Sequence, residues 1–508
     1  MKIDLFGRHK IYIEQSAEQI NKGNLAEIIS KILAVHNKNK CEITYLHEYL
    51  KGKQPILERQ KQVNADITNK IVENHAAEIQ TFKVGFTFGE PVQYVLYGDC
   101  DIHDKERRND PRVKAYNELM RNDNKISKDK KLGDWLFQCG IGYRMCLPTP
   151  TGAAYPFYTV VPDPRQAWVA LQDNFVEAPV LCGYTNRQGS KMDVWSIHKH
   201  WTIKYATDSE GNITNDKPKI DEQPNVIGLL PIIQYAANET MQGCFEAVID
   251  ICDALNNLES NGVDSVEQVV QSLLWFNNID IDEAKLNDVQ RLKAIVTKSM
   301  NGYPATIQSV SQNLDQSQTS TLKDDLYKSM LTIAAVPDRR ASTGGNTGQA
   351  IILSEGWVMA ESAARDFENI FKCSENDFIK LSLTICANTH SSTPTDLGNL
   401  SASEIDIHFT RRQNDNLLVK TQGLMNMLTS GVHPRHAFKI CGLFSDPEQA
   451  YLDSKDYLAK YLIGKGTGEE LIAAADNTDN TALSDEILAA FTKFNENVES
   501  INNEQEEA

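Results

Sequence analysis

Between 244 and 273 the apolar residues fall on one side of a long helical pattern. Phe245, Val248, Cys252, Leu255, Val263, Val266, Val269, Val270 and Leu273 mark that side. Asp250, Asp253, Glu259, Asp264 and Glu267 mark the other. At the helical rise, about thirty residues would extend ~45 Å. A helix that long, apolar on one side and acidic on the other, needs a neighbour to cover its stripe. Two further helical patterns follow. STLKDDLYKSMLTIAAVP places Leu322, Leu326, Met330 and Ile333 at helical spacing, and Pro337 bars its continuation. From 347 the chain is helical for about forty residues, or ~60 Å if straight, with Gly356 as a place to bend.

Upstream, Ile71, His75, Ile79 and Phe82 predict a helix over 66–82. VGFTFGEPVQYVLYG then reads as strand, with Gly89-Glu90-Pro91 as its turn. Residues 110–140 read as a helix pair. Pro111 suits a first helical turn, and Trp135, Leu136 and Cys139 give the second helix a buried side. The cationic run Lys125, Lys128, Lys130 and Lys131 alternates with acids and reads as a solvated helix face. From 141 to 235 the texture is β: short aromatic and β-branched runs separated by turn residues, spaced as antiparallel strands. His198 and His200 alternate in one such run and would share a face, as ordinary surface or packed histidines rather than metal ligands. LLWFNNIDI and PATIQSVSQ read as strands around a short helix, a small α/β insert over 272–312. EIDIHFTRRQNDN is a strand and turn, and small helices fill the C-terminal part.

The formal net charge of −18 argues against tight duplex binding by a single chain, because such affinity comes from neutralising phosphates. No apolar run is long enough to span a bilayer, and MKIDLFGRHK carries no secretion signal. The ten cysteines form no CxxC, and Cys139 and Cys146 read as buried thiols, consistent with assembly in a reducing cytoplasm.

The stretch VPDRRASTGGNTGQAI at 336–351 lies between the helical patterns. Its glycines invite a phosphate-binding reading. A phosphate-cradling P-loop follows a strand and ends in Gly-Lys-Ser/Thr, whereas here a helix precedes, Gln349 follows the last glycine, and no lysine occurs between Lys328 and Lys372. GxGxxG, GxSxG and HExxH are absent too. A plain hinge explains the glycines but not Arg339 and Arg340, which suit brief contact with phosphates.

The order of several stretches resembles the portal proteins of tailed bacteriophages, specifically the SPP1-type family. They are YLKGKQPIL at 49–57, NKIVENHAAEIQTFKVGFTFGEPVQY at 69–94, FYTVVPDPRQAWVAL at 157–171, GLLPIIQYAAN at 228–238, FEAVIDICDALNNLESNGVDSV at 245–266 and the 336–351 stretch itself. The resemblance covers about residues 45–430 in order. Thr347 stands where serine is common in the family and keeps the capping hydroxyl.

The resemblance implies an α+β portal fold assembled as a ring: a mixed wing, long stem helices, a small α/β clip and a helical crown. It assigns 1–243 to the wing, 244–271 and 313–336 to the stem helices, 272–312 to the clip, 337–346 to a tunnel loop, 347–413 to the long tunnel/wing helix and strand, and 414–508 to the crown. Arg339, Arg340, Ser342, Thr343 and Asn346 would face DNA, with Pro337, Gly344, Gly345 and Gly348 as loop hinges. Trp275, Phe276, Lys293 and Lys298 would serve the clip and its partners. The family implies a ring of twelve subunits, thirteen in isolated recombinant protein, at the portal vertex of the virion capsid. Its partners would be double-stranded DNA without sequence preference, the large terminase, head-completion or adaptor proteins, and the major capsid and scaffolding proteins. No cofactor, metal or membrane is implied, nor any enzymatic activity. The rival readings are a packaging-associated NTPase or nuclease, and a protein-conducting or scaffold ring.

Overall fold

The computed structural model describes residues 7–61, 66–97, 110–150, 154–188, 191–207, 221–270, 273–277, 306–310, 316–338, 356–389, 397–409, 417–430 and 432–441, with scattered positions up to 454. The chain forms two compact units, one of residues 1–342 and 352–409, the other of 343–351 and 410–508. In the first unit the order is β1 (Ile11–Ile13), α1 (Leu25–Leu50), α2 (His75–Phe88), β2 (Gln93–Leu96), α3 (Pro111–Asn122), α4 (Lys125–Cys139), β3 (Ile141–Pro148) and β4 (Phe157–Val160). There follow β5 (Ala167–Gln172), β6 (Pro179–Gln188), β7 (Lys191–Ile197), β8 (Trp201–Thr207), β9 (Asp221–Pro224) and β10 (Ile232–Ala236). Then come α5 (Ile249–Val270), β11 (Leu273–Asn277), β12 (Thr306–Val310), α6 (Gln316–Ile333), α7 (Trp357–Asn388) and β13 (Ile405–His408). The described part of the second unit holds α8 (Leu417–Thr429) and α9 (Pro434–Cys441).

The β texture of 141–235 is borne out. A six-stranded sheet has the order β1-β5-β6-β7-β8-β9, and a three-stranded sheet the order β10-β3-β4. Neighbours are antiparallel except β1 and β5, which run parallel with Ile11 opposite Ala170. The alternation that makes a strand half-buried is plain in β4, where Phe157 and Thr159 point inward and Tyr158 and Val160 outward. Helix α1 lies upstream of every helix expected from the sequence. Its Leu25, Ile28, Ile29, Ile32 and Leu33 repeat at helical spacing and share a core with Trp168, Ala170, Leu181, Val194 and Ile203 of the large sheet.

The expected helix pair over 110–140 is present. Asp110 caps α3 by accepting from the Arg112 N–H, with Pro111 in the first turn. Gly140 ends α4 at φ +78°, and a Cβ there would stand 2.1 Å from the Met241 carbonyl oxygen, so only glycine fits. Cys139 and Cys146 are buried free thiols, as expected.

Other expectations are corrected. Residues 66–74 are not helical, and α2 begins at His75, where the Asn74 side chain accepts from the Ala77 N–H. Residues 84–88, expected as strand, are the last turn of α2; only 93–96 pair, with β13. His198 and His200 lie in the turn between β7 and β8, where His198 Nε2 meets the Ala17 carbonyl at 2.8 Å. Gly356 does not bend a longer described helix; at φ +80° it precedes the first residue of α7. On α6 the buried residues are Tyr327, Met330 and Leu331, while Leu322 and Ile333 are exposed, so the packed side is turned from the one expected.

The cationic run on α4 is not one solvated face. Lys125 is buried, 2.5 Å from Asp129 and 3.0 Å from Glu375 of α7. Arg144 of β3, 1% exposed, donates to both carboxylate oxygens of Glu375 at 3.1 and 3.2 Å and to Asp129. Tyr235 donates to Glu375 at 2.7 Å, and Tyr94 donates to it as well. Two cations thus face two carboxylates, which is what allows charge to be buried. Burial alone would push the Glu375 carboxyl up. The Arg144 and Lys125 charges and the two tyrosine hydroxyls outweigh it and hold the carboxyl below the ordinary range.

Candidate functional site at the helix pair

Helices α5 and α6 pack antiparallel: Cys252 Sγ lies 3.6 Å from Met330 Sδ, and Glu259 pairs with Lys323 further along. Beyond them β11 and β12 continue the antiparallel arrangement, Trp275 opposite Gln308 and Phe276 opposite Ile307. The stripe that opened the sequence reading is covered over only part of its length. Phe245, Val248, Cys252 and Leu255 are fully buried against the body of the unit. Val263 is 40% exposed and Val266 49%. The 22 residues of α5 span ~33 Å.

The other side of α5 is not a free acidic face. The extended segment 66–74 lies along it, and alternate backbone N–H groups find polar side chains one helical turn apart. Asn69 N–H donates to Asp264 Oδ1 at 2.8 Å, Ile71 N–H to Ser260 Oγ at 3.0 Å, and Glu73 N–H to Asn256 Oδ1 at 2.8 Å. Asp264 also holds Lys61 at 2.5 Å and Arg59 at 3.2 Å. Burial alone would raise its carboxyl, but Lys61 and Asn69 keep it below its ordinary value. Asp253 accepts from Tyr49 at 2.8 Å, and Asn69 reaches Glu267 at 3.0 Å.

The C-terminal end of α6 closes with crossed hydrogen bonds: Val336 N–H to Leu331 O at 2.9 Å and Ala335 N–H to Thr332 O at 3.1 Å. This is the Schellman arrangement, which places its penultimate residue in the left-handed region. That residue is Ala335, at φ +49°, rather than glycine. Lys83 of α2 donates to the Ala335 carbonyl at 3.1 Å. Pro337, a predicted hinge, follows and is buried. The chain re-enters beside it, since a Cβ on Gly356 would stand 3.9 Å from the Pro337 Cα. Trp357 then packs on Phe82 and Phe86 of α2, with ring centroids 6.0 and 6.1 Å apart.

Of the residues predicted from sequence, Pro337 lies at this foot, and Trp275 and Phe276 lie in β11 at the far end of the helix pair. Arg339, Arg340, Ser342, Thr343, Gly344, Gly345, Asn346, Gly348, Lys293 and Lys298 lie outside the described residues. Sequence reasoning missed Lys83, the polar ladder and the buried charge cluster. Asn256, Ser260 and Asp264, spaced by four, were the one signal available for the ladder. Among the described residues no group of three or more His, Cys, Asp or Glu could hold a metal, and no helix is long and apolar enough to cross a membrane.

The chain is thus a mixed α+β protein in which an antiparallel helix pair is followed by a two-stranded ladder. The chain belongs to the family described as phage portal protein, SPP1 Gp6-like, whose profile matches residues 29–459 of 508. Membership carries a role as a phage portal protein and component of the virion capsid, in a family that is structural rather than enzymatic. No curated protein matches the chain.

Proposed function

We propose that the chain forms a dodecameric ring at one capsid vertex whose bore conducts double-stranded DNA inward during packaging and outward at ejection. The observation that supports it best is the half-covered stripe of α5: Val263 and Val266 remain open where an adjacent subunit of a ring would lie. In this reading 1–243 is the wing, 244–271 and 313–336 are the stem helices, and 272–312 is the clip. Residues 337–346 are the tunnel loop, 347–413 the long tunnel/wing helix and strand, and 414–508 the crown. Each subunit brings a formal charge of −18, so the assembled wall repels DNA and keeps it from sticking. Arg339 and Arg340, with Ser342, Thr343 and Asn346, make reversible backbone contacts that any genome sequence satisfies. The large terminase docks on the clip and head-completion or adaptor proteins replace it, with Trp275, Phe276, Lys293 and Lys298 belonging to the interface of the clip with its partners. Major capsid and scaffolding proteins surround the assembly, which forms in the host cytoplasm.

Electron microscopy of the purified protein tests the ring. Closed rings are expected, and only monomers or dimers across buffers and high concentration would overturn it. Replacing Arg339 and Arg340 by alanine is expected to leave rings intact and to lower DNA packaging or retention. Loss of the rings themselves would make those arginines structural.

A further inference from the structure

One turn of α2 touches both ends of the stretch between α6 and α7. Lys83 reaches the outgoing end, at the Ala335 carbonyl, and Phe82 and Phe86 hold Trp357 at the incoming end. Residues 82, 83 and 86 lie on adjacent rows of one helix, so a single rigid element sets the distance between the two ends. The outgoing end is conformationally costly. A non-glycine residue in the left-handed region is disfavoured roughly 5- to 30-fold, and Ala335 persists there only if its surroundings over-determine it. An ammonium on the carbonyl at the C-terminal end of a helix is the fitting partner, because unpaired carbonyls give that end partial negative charge. Burial lowers the Lys83 ammonium from its ordinary value, and its hydrogen bond to the Ala335 carbonyl stands on the 3.1 Å geometry.

We propose that Lys83 is a positioning residue which, with Phe82 and Phe86, clamps both feet of the segment that joins α6 to α7. It fixes the direction in which the chain leaves at Pro337 and returns at Gly356. The proposal deepens the reading of 337–346 as a tunnel loop and rests on it for its functional consequence, but not for the clamp itself.

Hydrogen exchange on the full-length protein, read at Ala335, Val336 and residues 357–360, tests it. Lys83→Met removes the charge and keeps the length; it is expected to speed exchange at Ala335 and Val336 by roughly 5- to 30-fold. Phe86→Ala is expected to loosen 357–360 and spare Ala335. The decisive variant is Ala335→Gly. Glycine adopts φ +49° without penalty, so in its presence Lys83→Met should become silent. Unchanged exchange in Lys83→Met, or faster exchange that Ala335→Gly does not rescue, would overturn the clamp and leave Lys83 an ordinary packed residue. DNA packaging is the separate readout. Loosened feet with normal packaging would keep the clamp and refute the tunnel-loop reading.

Discussion

Glu375 is fully buried and meets Arg144, Lys125, Tyr94 and Tyr235 at once, on four elements other than its own. Replacing it by glutamine leaves Arg144 and Lys125 with Asp129 as their one remaining acid among the described residues. Stripping one partner from a buried ion cluster costs about 3–5 kcal/mol. Glu375→Gln should therefore lower the denaturant midpoint by that equivalent, without altering the exposed charge. Glu246 behaves in the opposite sense. Burial raises its carboxyl to about 7, although Arg8 lies 2.9 Å away and the Gly243 N–H donates to it. Glu42, 3.2 Å from the same Arg8, adds a second negative charge. A carboxyl raised on folding contributes stability that is complete below its unfolded value of 4.5 and is lost as pH rises through about 7. Between about pH 4.5 and 7 the apparent stability of the first unit should fall, by up to about 1.4 kcal/mol per pH unit from this group, and the contribution should level off above pH 7. Glu246→Gln should flatten that slope in thermal unfolding followed across pH; an unchanged slope would assign it to other groups.

The polar ladder between 69–73 and α5 works because two periods nearly coincide. Two extended residues advance ~6.6 Å, and four helical residues ~6 Å. Three successive rungs can thus form before the mismatch grows. Ser260→Ala leaves the Ile71 N–H without its acceptor, which costs about 1–3 kcal/mol where the group is buried. The Ile71 amide should lose its exchange protection while α5 remains helical. This element also shows what the sequence disclosed and what it hid. The stripe of α5 and the strands of 141–235 were legible, because each is a local period of one element. The helix expected over 66–82 exists only from His75, because Ser260, Asn256 and Asp264 offer the upstream backbone a better set of partners than its own turn. Those partners lie 183 to 195 residues away. Lys125 looked solvated for the same reason, since Glu375 is 250 positions downstream and no local pattern announces it. The foot at Ala335 was hidden differently: alanine carries no signal for a left-handed position that glycine would have advertised. Of the residues predicted from sequence, Pro337 and the strand of Trp275 and Phe276 are among the described residues, and the arginines fall outside them.

At the scale of the molecule, the question is why α5 should remain apolar past the point where its own chain covers it. Inside the first unit the helix is packed on one side by α6 and roped on the other by 66–74, and the stripe still emerges at Val263 and Val266. Leu322 of α6 is exposed as well. Single exposed apolar residues need no explanation, but a continuing helical stripe does. The proposed ring would account for it, because each subunit would offer one flank to the next and none would be left over. Substitution by aspartate separates this from a chance excess. At an exposed site in a monomer, Val263→Asp with Val266→Asp should change stability by no more than about 0.5 kcal/mol each. Buried against a neighbour, each new carboxylate would cost several kcal/mol, multiplied around the ring and added to the −18 that every subunit already carries. The double variant should therefore keep the circular dichroism of the parent while running as a monomer in size exclusion and mass photometry, with unfolding shifted only by the loss of assembly. Rings that still close would show that these valines face solvent or the bore in the assembly, and the packing of subunits would have to be sought on another surface of the chain.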